Sequence, residues 1–95
     1  MRVIWKFKIE GAQAEFDGPA GARAIKALVQ PDGQPVVYLL CDREAPKAKL
    51  QIKLFPTAGN IPPEAGDYVD TLTIPGPSGP FVAHIFFKQL SVQLI

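Results

Sequence analysis

The sequence predicts a single small all-β domain over residues 1–95, a sandwich or flattened barrel of seven to eight short, mainly antiparallel strands. Three observations carry this. Ten prolines and eight glycines cut the chain into short stretches, and both residue types end strands and make turns. Several of those stretches alternate apolar and polar residues with a period of two, the pattern of a half-buried strand. Apolar residues make up 47% of the 95 positions, enough for one core but, at this length, not for two.

Residues 2–9 give the first strand. Val3, Trp5, Phe7 and Ile9 share one face, and Arg2, Lys6 and Lys8 the other, with Ile4 as the exception. Glu10-Gly11 reads as a turn. Ala12, Ala14 and Phe16 then alternate with Gln13, Glu15 and Asp17, a short return strand that Gly18-Pro19-Ala20-Gly21 is expected to end. Residues 22–30 carry two readings. Ala22, Ile25, Leu28 and Val29 fit a helical stripe, whereas Ile25, Ala27 and Val29 alternate with Ala24, Lys26 and Leu28. Pro31-Asp32-Gly33-Gln34 is a tight-turn signal, because Pro presets the first turn residue and Gly accepts positive φ. A hairpin of 23–30 with 35–42 is therefore the simplest account. Val36 to Cys41 has no polar face, which predicts a central strand covered on both sides.

Residues 42–46 read as a loop. Residues 47–55 alternate most cleanly, with Lys47, Lys49, Gln51 and Lys53 opposite Ala48, Leu50, Ile52 and Leu54. Residues 56–67 are the longest loop, stiffened by Pro62-Pro63. Residues 68–74 form a strand that Asp70, Thr71 and Thr73 keep partly wet. Residues 75–80 are a rigid Gly/Pro connector, and 81–87 the most aromatic strand. Trp5 and Phe81, Phe86 and Phe87 are expected to fill the core. In the last seven residues Leu90, Val92 and Leu94 alternate with Gln89, Ser91 and Gln93. A terminal strand with an apolar face must close its own sheet or add to a neighbour's. Leu90, Val92 and Leu94 are thus the candidate contacts of a homo-oligomer.

The chemistry the chain offers is sparse. Cys41 is the only cysteine, so no intramolecular disulfide can form, and within its apolar run an inert buried thiol is expected. The formal charge is +1, which argues against nucleic acid as the partner. The first residues lack the apolar run of a signal peptide, and no stretch approaches a membrane span, so a cytosolic protein without membrane association is expected. Gly76-Pro77-Ser78-Gly79 lacks the Lys of a phosphate loop, and two prolines remove N–H donors, so it reads as a turn. His84 has no second His for a metal site and reads as a hydrogen-bonded strand residue with a minor share for ligand contact. Asp42, Glu44, Asp67 and Asp70 cannot be paired at a working distance from sequence, and Asp17 and Asp42 are expected to bond local backbone. No catalytic residue, cofactor or metal is expected. Lys47, Lys49 and Lys53 form a basic stripe that Lys6 and Lys8 could extend. Such a stripe is either a solvated edge or a surface for an anionic partner.

The order of several short motifs resembles a family of small β-rich proteins, of unknown function, encoded by bacteriophages and prophages. The motifs are Ile4-Trp5-Lys6-Phe7; Gly21-Ala22; Val29-Gln30 with Gly33 and Pro35; Leu40 with Asp42, Glu44, Ala45 and Pro46; Phe55 with Gly59; Tyr68 and Thr71; and Phe81-Val82 with His84 and Phe86. They spread over positions 4–87. The chain departs from that pattern at Tyr38 and Ala83, where members often carry Trp, and at Asn60, where they often carry His. It also extends past Lys88. The resemblance implies phage origin, action in a bacterial host's cytoplasm, and strands at 22–30. It implies no activity.

The expected function is non-enzymatic binding of a bacterial host protein or a small anionic ligand, for example to inhibit a host defence. Lys47, Lys49, Lys53 and His84 are the candidate ligand contacts. The alternative is an accessory protein that decorates or cements the virion.

Overall fold

In the computed structural model, which describes residues 1–92, the turns fall where Gly and Pro place them. Seven strands result: β1 (Arg2–Lys8), β2 (Gln13–Pro19), β3 (Arg23–Val29), β4 (Pro35–Asp42), β5 (Lys47–Pro56), β6 (Asp67–Ile74) and β7 (Phe81–Val92). A single 3-10 turn, Pro63–Ala65, interrupts the long loop before β6. The strands form two antiparallel sheets, β1-β4-β3 and β2-β5-β7-β6. The sheets stack as an open sandwich. Among the described residues no helix is long and apolar enough to cross a membrane.

Residues 23–42 form the hairpin, not a helix. Gly33 N–H donates to the Gln30 carbonyl (2.8 Å) and Gln30 N–H to the Gln34 carbonyl (2.9 Å), while Gly33 takes φ +88°, as the turn requires. The core lies between the sheets, where Leu39 and Val37 of β4 meet Leu50 and Ile52 of β5 and Ile85 of β7, all essentially inaccessible. Burying each of these side chains contributes roughly 1.5–3 kcal/mol.

Four expectations are corrected. β2 does not end at Gly18: it runs through Pro19, paired with Lys47. An outer strand tolerates Pro because one edge needs no ladder N–H, and Gly18 leaves room for Leu50, whose Cδ1 would lie 2.6 Å from an added Cβ. β4 is central and its inward residues are buried, but Tyr38 and Leu40 on its outer side are only half-covered. The aromatic residues of β7 separate: Phe87 enters the core, Phe86 points out, and Phe81 is exposed. Trp5 is also 38% exposed.

The last residues are not a separate strand. They continue β7, and Val92 pairs with Ala48 of β5. The ladder therefore closes the chain's own sheet to that point. Leu90 occupies the bulge between the Leu50–Gln89 and Lys49–Ser91 pairs and is 39% exposed. Leu94 lies outside the described residues, as does the side chain of Val92.

On one side of the sandwich, β3 and β6 lie edge to edge. Each carries a bulge, at Ala24/Lys26 and Tyr68/Asp70. There the Asp70 carboxylate accepts the Ala27 N–H (3.3 Å) and pairs with Lys26 Nζ (3.2 Å). A side chain thus bridges two sheet edges that no backbone ladder joins.

Cys41 is buried against Val3 of β1, as expected. Burial, and then the charge of Asp42, pushes its thiol above the ordinary value. Native protein should therefore resist a thiol reagent such as Ellman's reagent, reacting fully only in denaturant. Rapid stoichiometric labelling of the native chain would contradict this burial.

Candidate ligand-binding face

The outer surface of the four-stranded sheet gathers the chain's most chemically specific side chains. Period-two geometry puts Lys53 and Phe55 of β5, His84, Phe86 and Lys88 of β7, and Thr71 of β6 on this face. Register then makes them neighbours. Phe86 lies opposite Lys53 on one side and Tyr68 on the other, and His84 lies between Phe55 and Thr71.

Three rings form a cluster. Phe86 meets Phe55 edge to face, with centroids 5.5 Å apart, and meets Tyr68 at 5.7 Å and 69°. This geometry matches the ring quadrupoles. Tyr68 is 57% exposed, so the cluster ends in an open aromatic surface.

Beside it runs a polar chain. His84 Nε2 lies 2.9 Å from Thr57 Oγ1, and its Nδ1 lies 2.9 Å from Thr71 Oγ1. Thr71 Oγ1 in turn lies 2.7 Å from the Tyr68 hydroxyl. In a neutral imidazole one ring nitrogen donates and the other accepts, and hydroxyls can rotate to suit either tautomer. Among the described residues His84 is therefore held in orientation by hydroxyl groups, and no carboxylate bonds it as in a general base. Asp42 lies on the other sheet, and Asp67 pairs with Phe87. Asp42 bonds local backbone as expected, accepting the Glu44 N–H (3.0 Å).

The structure divides the expected lysine stripe. Lys49 is tied to Asp17 at 2.8 Å, and that carboxylate holds the ammonium charged, raising it above the ordinary lysine value. Asp17 thus serves a lysine of the neighbouring strand. Lys47 sits at the far end of β5, in a groove of about 240 Å³ with Trp5 and Arg43. Lys53 stays with the aromatic cluster and has no ion pair among the described residues. Lys6 and Lys8 do not extend the stripe, because β1 belongs to the other sheet. Of the four candidate contacts, the fold brings Lys53 and His84 together and separates Lys47 and Lys49 from them.

Sequence reasoning missed Phe86, Tyr68, Thr57, Thr71 and Lys88. Lys88 Nζ donates to the Glu64 carbonyl at 3.0 Å, which fixes a second cation two residues along from Phe86. The period-two pattern of β7 held the signal: Phe86 shares parity with His84 and Lys88, while Phe87 shares it with the core residue Ile85. A separate apolar cavity of about 360 Å³ opens at one end of the sandwich, lined by Ile9, Leu54, Phe55, Ile74, Phe81 and others. Among the described residues no titratable side chain lines it, and Phe55 forms a wall common to both features.

A family model described as Domain of unknown function (DUF7352) matches residues 1–93. No curated protein and no solved structure is significantly similar to the chain.

Proposed function

We propose that this chain, which belongs to the DUF7352 family, is a non-enzymatic binding protein for a small, planar, anionic ligand of the nucleotide class. The observation that carries this reading is the ring cluster of Phe55, Phe86 and Tyr68 on a solvent-facing sheet surface, with Lys53 directly opposite Phe86. A base stacks on such rings regardless of its identity. Lys53 and Lys88 meet the phosphate charge, and the His84–Thr71–Thr57 hydroxyl network supplies donors and acceptors for polar edges. The setting we propose follows the sequence resemblance: a phage-encoded protein in the host cytoplasm that inhibits a defence by sequestering a nucleotide signal. Leu90, with Val92 and Leu94, is the proposed subunit contact.

Native mass spectrometry of protein purified from bacterial cells, followed by denaturation, tests this. The expected result is extra mass, released on denaturing, with the absorbance of a nucleobase. The same spectrum reads the oligomeric state. Phe86→Ala should weaken the affinity for the released ligand by about tenfold, the scale of one base–aromatic stack. A bare protein that also shows no binding to nucleotides in calorimetry overturns the reading. A second reading, a virion accessory protein, draws on the exposed Phe81 and Val82 at the mouth of the apolar cavity. Stoichiometric presence in purified virions would favour it.

A further inference from the structure

The opposite surface of the molecule, the outer face of the three-stranded sheet, has a different character. Cα partners in an antiparallel ladder share a face, so its rows can be read from the register. Ile4 of β1 faces Leu40 of β4, which faces Arg23 of β3. Lys6 faces Tyr38, which faces Lys26. Lys8 faces Val36, which faces Leu28, and Arg2 faces Asp42. Five of the chain's ten Lys and Arg residues lie on this face, against a net charge of only +1 for the whole chain. Asp42 is the single acid in these rows. Its carboxylate already holds the chain's first ammonium group and the Glu44 N–H.

Ile4, 58% exposed, and the half-covered Leu40 and Tyr38 form an apolar patch that opens at the β1 edge. Arg2 and Lys6 flank it along β1 and Arg23 and Lys26 along β3, with Lys8 beyond. Lys26 is paired with Asp70. Lys6 donates to the neutral Gln30 Oε1 at 2.7 Å, which orients it without cancelling its charge. Among the described residues, Arg2, Lys8 and Arg23 have no ion pair.

We propose that this face is a docking surface for an acidic protein partner, with Ile4 as the apolar anchor. An apolar patch flanked by charged residues is the usual anatomy of a protein–protein contact, and the excess of cations over the one acid in these rows selects an acidic partner by charge complementarity. An anionic membrane would need several apolar side chains protruding together to insert; in the paired rows Ile4 is the one strongly exposed apolar residue, with Ile25 exposed apart from it at the bulge of β3. A nucleic-acid strand would need stacking rings, and Tyr38 is the sole aromatic residue in these rows. The proposal concerns a face remote from the aromatic cluster and stands independently of the ligand proposed there.

The test is a titration of the isotope-labelled full chain, followed by NMR, with three probes: a soluble peptide of alternating glutamate and leucine, phosphatidylglycerol vesicles, and a single-stranded oligothymidine. The expected result is that the peptide binds tightest and shifts the amides of Ile4, Lys6, Arg23, Tyr38 and Leu40. The pair Lys6→Glu/Arg23→Glu should weaken peptide binding by about tenfold or more. Ile4→Ser should weaken it at constant salt, which a purely electrostatic contact would not do. Both variants should keep the wild-type melting temperature, because the replaced side chains sit outside the core. Peptide shifts that map elsewhere, no peptide binding, or tighter binding of vesicles or oligothymidine each overturn the proposal.

Discussion

Replacing Asp70 by alanine is expected to destabilise the fold by about 3 kcal/mol at neutral pH, the scale of losing charge-assisted hydrogen bonds and leaving a buried donor unpaired. Asp70 accepts the N–H groups of Ala27 and Thr71 and pairs with Lys26. Ala27 is buried, so its N–H would find no water in place of the carboxylate. The Lys26 pair adds little, because its ammonium is largely exposed. The pH dependence follows from opposing effects. Burial alone pushes the Asp70 carboxyl up, but the bonds from Ala27, Thr71 and Lys26 together outweigh it and hold the carboxyl below its ordinary value. A depressed carboxylate stabilises the fold fully above the unfolded value of about 3.9. That contribution disappears as pH falls through the lower, folded value. Urea denaturation should therefore separate wild type from Asp70→Ala widely at pH 7, and the gap should narrow in strong acid. Equal midpoints at pH 7 would show that the edge-to-edge contact of β3 and β6 does not depend on this carboxylate.

Asp70 also marks where the sequence stops being informative. Its strand was legible, because Leu72 and Ile74 alternate with Thr71 and Thr73. Its role was not, because that role arises where two bulges meet, on strands more than forty positions apart. The same distinction runs through the binding face. Strand positions and parity follow from local alternation, so the hairpin of β3 with β4 and the run of β5 could be read directly. Which sheet a strand joins is a long-range matter. Lys6 and Lys8 share charge and spacing with Lys47, Lys49 and Lys53, yet β1 pairs with β4, and the two groups end on opposite surfaces. Asp17 looked like a turn residue because Gly18 and Pro19 follow it, but β2 runs on through both and brings it to Lys49. Phe86 and Phe87 are adjacent and chemically alike. Only the direction of β7 relative to the core decides that one is buried and the other presented.

Gly66→Ala is expected to be at least as damaging, costing about 3 kcal/mol or more by combined backbone strain and displacement. At this chain length that is a fall in melting temperature of roughly 12 °C or more. Gly66 takes φ +100° and ψ −149°, a region essentially closed to side-chain-bearing residues. An added Cβ would also press into the Phe87 carbonyl and lie 2.8 Å from Lys88 Cβ. Neither neighbour can yield easily, since both belong to the backbone-paired centre of β7. Gly79→Ala separates the two costs. Gly79 has φ +108°, but an added Cβ there meets nothing within 4 Å, so it carries the strain without the clash. A clearly smaller melting shift for Gly79→Ala assigns the excess at Gly66 to packing, and equal shifts would refute that assignment. The position bears on binding as well. Gly66 follows the 3-10 turn whose Glu64 carbonyl holds Lys88. Pushing that turn off β7 should release Lys88 beside Phe86 and weaken anion binding even in molecules that remain folded. Lys88→Met supplies the comparison: it removes the cation without moving the turn. If the proposed ligand site is correct, both variants lose affinity, and Gly66→Ala alone loses stability.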